Sequence, residues 1–250
     1  MRNYKLTIMY DGSKYRGWQR QVHTNDTIQW IIEDRMGQML GYPVEIQAAG
    51  RTDGGVHALA QSATVKVAKK LEEAEFLMEL NQKLPDDIQV QRLELVSQGF
   101  HARYAARGKC YEYQIDTREK PSVFTRRWTY HYTKHLDIEK MKQAAEKLIG
   151  SHDFAGFTSG KYEGKSTSRN IYKIEIEKEK SILFIRYYGN GFLYHMVRIL
   201  TGTLLEIGSA EKKPDVILQV LSRKNREDAG FLAPARGLFL KEVYYEESVK

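Results

Sequence analysis

The 250-residue chain is 42% hydrophobic and 28% charged, enough apolar material for one large or two modest domains. No window of about 18 apolar residues could cross a bilayer, and the opening Met1-Arg2-Asn3-Tyr4-Lys5 lacks the apolar run of a secretory signal, so a cytoplasmic protein is expected. A single cysteine, Cys110, excludes an internal disulfide, and the formal net charge of +7 favours a polyanionic partner, although a basic enzyme with no nucleic-acid role would carry the same surplus.

In chain order, "YKLTIMY" (4–10) reads as a strand, and Asp26 with Gln29 forms a capping box ahead of Ile28, Ile32, Met36 and Met39 at helical spacing, closed by Gly41. "PVEIQAA" (43–49) makes the next strand and completes a strand-helix-strand unit. Alternation resumes in "SATVKV" (62–67), "EEAEFLMELNQKL" (72–84) is helical until Pro85 stops it, and "IQVQRLELV" (88–96) is a strand. Such alternation predicts sheets with one covered face and one wet face.

After Phe100 the pattern restarts. "CYEYQI" (110–115) is a strand, and Asp137 caps a helix carrying Ile138, Met141, Ala144, Ala145 and Leu148, ended by Gly150. "NIYKIEIEKEKSILFIRYYG" (170–189) is a hairpin turning at "EKEK". "FLYHMVRILTGTLLEIG" (192–208) and "KPDVILQVLSR" (213–223) are helices, and "GLFLKEVYY" (237–245) is a closing strand. The order predicts an α+β protein of two halves, 1–104 and 105–250, each with a mainly antiparallel sheet and a split βαβ pattern.

Several short stretches could carry chemistry. "SGKYEGKS" (159–166) nearly spells a phosphate loop, but Ser159 replaces the first glycine and the segment enters a strand instead of a helix, so nucleotide triphosphate binding is not expected. A basic loop of Lys161, Lys165 and Arg169 that touches RNA, or a plain solvated loop, fits it better. His131 and His135 stand four apart in what reads as strand end and loop, and no metal site is expected there. "YDGSKYRGWQRQ" (10–21) mixes Lys14, Arg16 and Arg20 with Tyr10, Tyr15 and Trp18 on a glycine-punctuated loop, a combination that suits RNA, cations for phosphates and rings for bases, the alternative being that Trp18 simply caps the core. Tyr111 and Tyr113 share a strand face and by themselves read as core. Arg198 lies off the apolar stripe of its helix, either as a solvated side chain or as a forked donor aimed at an anion.

Asp53 stands in "AAGRTDGGVHALAQ" (48–61), after Arg51 and Thr52 and before two glycines. An aspartate before glycine often does no more than make a turn, its carboxylate bonding the backbone two residues on. The neighbouring Arg51 favours the ionised form that a nucleophile requires.

"YDGSKYRGWQRQ", "AAGRTDGGVHALAQ", "NQKLPDDI", "FHARYAARGKCYEYQI", "DFAGF" and "GFLYHMVR" occur in this order, and together they resemble the tRNA pseudouridine synthase A family from residue 4 to "GLFL" at 237–240. The resemblance implies the pseudouridine synthase fold, with two ferredoxin-like halves flanking a positively charged cleft. It also implies a homodimer that converts uridine to pseudouridine at positions 38, 39 and 40 of the tRNA anticodon stem-loop without cofactor or metal. By the same resemblance Asp53 is the catalytic aspartate, Tyr111 stacks on the target base, Arg51 engages the target nucleotide, and Arg198 is the basic residue paired with the aspartate. Gly54 departs from the family, which usually has alanine there. The alternative on the same fold is a tRNA-binding protein or chaperone without chemistry.

Overall fold

The computed structural model describes residues 1–246, and its chain contacts divide it into two compact units: Met1–Arg107 with Phe239–Tyr245, and Gly108–Leu238 with Glu246. The protein is mixed α+β, and among the described residues no helix is long and apolar enough to cross a membrane.

In the first unit, β1 (Arg2–Tyr10) lies antiparallel between β3 (His57–Val67) and β4 (Ile88–Val96), with Leu6 opposite Ala63 and Leu93. Period-two alternation sends Tyr4, Leu6, Ile8 and Tyr10 into the core, where Ile28, Ile32 and Met36 of α1 (Ile28–Leu40) and Leu80 of α2 (Glu73–Lys83) are also fully enclosed. The other edge of β3 is shared. Short β2 (Ile46–Ala48) pairs antiparallel near Val65, while β10 (Leu238–Tyr244) pairs parallel at His57 and Ala58. Asn81 of α2 donates Nδ2–H to Val90 O at 2.8 Å and accepts Val90 N–H on Oδ1 at 2.9 Å, where the β1–β4 register shifts by one residue.

Two expectations change here. The helix cap is Thr27, whose Oγ1 accepts from Trp30 N–H, rather than Asp26. The first-turn donors of Ile28 and Gln29 go to the carbonyls of Gly17 and Trp18, and the Gln29 side chain turns inward to Glu33 and Ile46, so no reciprocal box forms. Strand β3 begins five residues earlier than its alternation suggests, and it is not wet on one face: Gln61, Ser62 and Thr64 are buried along with Ala63 and Val65.

In the second unit the strand order is β5 (Gly108–Asp116), β9 (Ile182–Gly189), β8 (Ser168–Glu179), β7 (Gly150–Asp153), all antiparallel neighbours, with two-residue β6 (Tyr130–His131) parallel to β5. Asp137 caps α3 (Ile138–Glu146) as expected, its carboxylate accepting from Lys140 N–H at 3.1 Å. Gly150 does not end that helix; it opens β7, a strand whose polar sequence Gly-Ser-His-Asp gives no alternation to read. The expected helix at 192–208 starts only at Met196, in α4 (Met196–Gly208), after a left-handed His195 (φ 63°). Apart from Arg198 and Glu206 the helix is buried all round, because residues 229–233 run across its second side: a Cβ on Gly202 would lie 1.9 Å from the Phe231 carbonyl oxygen, and Gly230 N–H donates to Thr203 Oγ1 at 2.8 Å. The last helix of this unit is α5 (Val216–Arg223).

Candidate active site

Asp53 lies on the short link between β2 and β3, half-buried, and its peptide forms a tight turn: Val56 N–H donates to the Asp53 carbonyl at 3.1 Å. Gly54 and Gly55 are the central residues of that turn, and only Gly55 has a left-handed backbone (φ 78°). A turn with positive φ at its third position needs glycine there and tolerates most residues at its second. Gly55 N–H also donates to the Tyr15 carbonyl at 3.3 Å, which ties the turn to the preceding loop.

The turn is mounted on the 10–18 loop by direct backbone approach. A Cβ on Gly12 would lie 1.9 Å from Val56 O, and one on Gly17 (φ 98°) would lie 2.6 Å from Thr52 O and 3.1 Å from the Asp53 carbonyl carbon. Trp18 N–H donates to Thr52 O at 3.0 Å, and the Tyr10 hydroxyl pairs with Thr52 Oγ1 at 2.7 Å in the buried interior. Behind the turn, His57 is enclosed and stacked on Phe239 with ring centroids 4.8 Å apart. Its Nδ1 lies 3.0 Å from the Gly12 backbone nitrogen. Asp11 Oδ1 is 3.1 Å from the same nitrogen and takes its own donor from Ser13 N–H at 2.9 Å.

This arrangement corrects the expectation for the first basic-aromatic run. Trp18 is 1% exposed and Tyr10 3%, so neither offers a face to a base. The Tyr15 hydroxyl is bonded to Asp87; burial first, and then that carboxylate, push its phenol well above the ordinary value. Lys14, which pairs with Asp87 at 3.0 Å, and Arg16 and Arg20 remain exposed, as does Arg51. The aromatic half of the run is therefore scaffold, and its cations face solvent. Asp87, from "KLPDDI", is a positioning group that the sequence reading did not single out; its only signal was a pair of acids directly after a helix-stopping proline.

In the second unit, Tyr111 and Tyr113 do share one face of β5, and both are largely enclosed: 7% of Tyr111 is exposed and none of Tyr113. They differ in partner. Tyr111 stands edge-on to Phe192, centroids 5.2 Å apart at 83°, whereas Tyr113 donates its hydroxyl to Pro234 O at 2.7 Å and fills the space that a side chain at Gly237 would need. Burial drives the Tyr113 phenol far above its ordinary value, with Arg198 the leading opposing influence. Arg198 is partly buried and is not a solvated surface residue: its Nε donates to Ala233 O at 2.7 Å, and its own carbonyl accepts Ala233 N–H at 3.2 Å. A guanidinium held through Nε has its fork direction fixed. The segment 158–167 follows a short helical turn and enters β8, and Lys161 and Lys165 on it are exposed, as a loop without phosphate-loop geometry requires.

An aspartate built into a glycine-docked turn, a buried tyrosine on β5 and an arginine braced by a carbonyl are the elements that comparison with known proteins can place. The family described as tRNA pseudouridine synthase matches residues 6–105 and 144–246, and the chain belongs to that family. Among its relatives, a "tRNA pseudouridine synthase A 2" of Bacillus cereus (strain ZK / E33L) is 42% identical over 98% of this chain and 100% of its own length. A "tRNA pseudouridine synthase A" of Acetivibrio thermocellus is 43% identical over the same shares of the two chains. A "tRNA pseudouridine synthase A 2" of Clostridium perfringens (strain 13 / Type A) is 42% identical, again over 98% of this chain and the whole of its own.

Proposed function

We propose that this protein is a cytoplasmic tRNA pseudouridine synthase that isomerises uridine at positions 38, 39 and 40 of the anticodon stem-loop, acting as a homodimer without metal or cofactor. The observation that carries the reading is full-length likeness to relatives named for this activity, in a chain whose Asp53 turn is built by close backbone docking. Asp53 acts as the nucleophile, Tyr111 stacks on the target base, Arg51 engages the target nucleotide, and Arg198 is the accompanying basic residue. Residues 1–104 carry the catalytic loop, and 105–250 carry the tyrosine and the basic helix residue. The element order β1-α1-β2-β3-α2-β4 with spatial order β4-β1-β3-β2 supports reading the first unit as a ferredoxin-like half.

The reaction needs little equipment. The N1–C1′ bond breaks, the uracil turns while it is held, and a C5–C1′ bond forms; C5 gives up its proton and N1 gains one, so electrons and atoms balance with no oxidant. A uridine stacked in RNA cannot be attacked, so the nucleotide must be flipped out of its helix, and water must be kept from the detached base. The test is tritium release from tRNA labelled at uracil C5. Release by the wild type and none by Asp53→Asn supports the proposal; silence from the wild type would favour the tRNA-binding alternative, and unchanged release by the variant would remove Asp53 from its role.

A further inference from the structure

Between β5 and β6 the chain makes an arm, residues 117–129, that holds apolar side chains in water. Val123 is 68% exposed, Phe124 84% and Trp128 39%, within six positions of one another. They are not there through slackness. The root of the arm is Asp116, fully enclosed, which takes Arg118 Nε at 2.8 Å and Nη2 at 2.7 Å in a two-pronged pair and accepts Ser122 N–H at 3.2 Å. Arg118 also donates to Thr125 Oγ1 at 3.2 Å, its carbonyl is bonded to His131 Nε2 at 2.8 Å, and the tip is curled by Arg126 N–H to Ser122 O and Trp128 N–H to Thr125 O, both 2.9 Å. An enclosed carboxylate paired with a partly exposed arginine, and a hydrogen-bonded tip, thus hold the exposed rings in place.

Rigidly presented apolar surface marks a binding surface, and the charges around it narrow the partner. Lys120, Arg126 and Arg127 are exposed beside the rings, with Glu119 the only exposed acid of the arm. An isologous contact of this patch with itself in a second copy would bring these cations together. A polyanion with stackable bases meets both requirements: phosphates for the cations, base faces for Phe124 and Trp128. We infer that the 117–129 arm is a second tRNA-docking element, which adds affinity for the RNA without touching the reacting atoms. This rests on the proposed tRNA activity.

The experiment measures tritium release, tRNA affinity as a function of salt, and sedimentation for wild type, Phe124→Ala and the double variant Arg126→Glu with Arg127→Glu. All three positions are exposed, so folding is retained, which a thermal melt checks. Expected are a rise in KM for tRNA of about fivefold or more for Phe124→Ala and about tenfold for the arginine pair, unchanged kcat, and a salt slope shallower by roughly two for the pair. Unchanged KM and slope in an active enzyme would overturn the arm's role, and so would a fall in oligomeric mass, which would make the arm a protein interface. Inactive wild type would instead overturn the parent reading.

Discussion

Two glycines in contact at the Asp53 turn should respond in opposite directions to the same methyl group. At Gly54 the backbone φ is not positive, and an added Cβ would meet Tyr15 O at 3.5 Å and the Arg16 backbone at 3.6 Å, ordinary van der Waals contact. Gly54→Ala, which installs the family's usual residue, therefore costs nothing in the folded state and removes freedom from the unfolded one, worth about 0.4–1 kcal/mol of added stability and roughly 1–4 °C in Tm for a chain of this size. At Gly17 the same change meets a left-handed φ of 98° and the Thr52 carbonyl oxygen at 2.6 Å. The left-handed conformation alone costs about 1–2 kcal/mol, and the contact is with backbone that cannot swing aside, so a loss of about 2–4 kcal/mol is expected. The yielding peptide is the one that carries Asp53, and a shift on the order of 1 Å at a reacting group can cost about a hundredfold in kcat. Thermal unfolding and tritium-release kinetics read both effects. A Gly17→Ala protein with wild-type Tm and kcat, or a Gly54→Ala protein less stable than wild type, would refute the docking argument.

Removing the buried Tyr10–Thr52 hydrogen bond by Thr52→Val should destabilise the protein by about 1–3 kcal/mol and lower kcat more than it raises KM, with Thr52→Ser recovering most of the loss; equal effects of the two variants on kcat would count against a positioning role. Tyr111→Phe should bind tRNA nearly as well as wild type in a filter-binding assay while Tyr111→Ala does not, and equal losses would argue against stacking. Burial works to raise the Asp116 carboxyl, but its bonds from Arg118 and Ser122 outweigh it and hold the group at about 2, against 3.8 for the free acid. The stability contributed by the ionised carboxylate and its hydrogen bonds is therefore fully present above pH 3.8 and lost as pH falls through about 2. Asp116→Asn should flatten the acid limb of the stability profile, and an unchanged limb would refute the assignment.

Sequence by itself determined most of what is local. Pro85 and Gly41 stop helices, Asp137 caps one, and the alternation of residues 88–96 marks β4 from end to end, because a cap or a period is a relation between residues a few positions apart. The family segments likewise pointed to Asp53 without any fold. Tertiary structure decided what depends on distant backbone. The run at 57–61 shows no apolar–polar alternation and leaves Leu59 exposed, and along 61–65 both faces of β3 are covered; α4 starts late and loses its wet side because 229–233 crosses it at Gly202. Trp18 looked like a base-stacking ring and is buried because α1 takes its first-turn bonds from the loop beneath it. Most of all, composition could not say which glycine matters. Gly55 is needed for its φ and Gly12 and Gly17 for their closeness to the backbone of the Asp53 turn, while Gly54, the one departure visible in the sequence, is the position in that turn where the fold makes no demand.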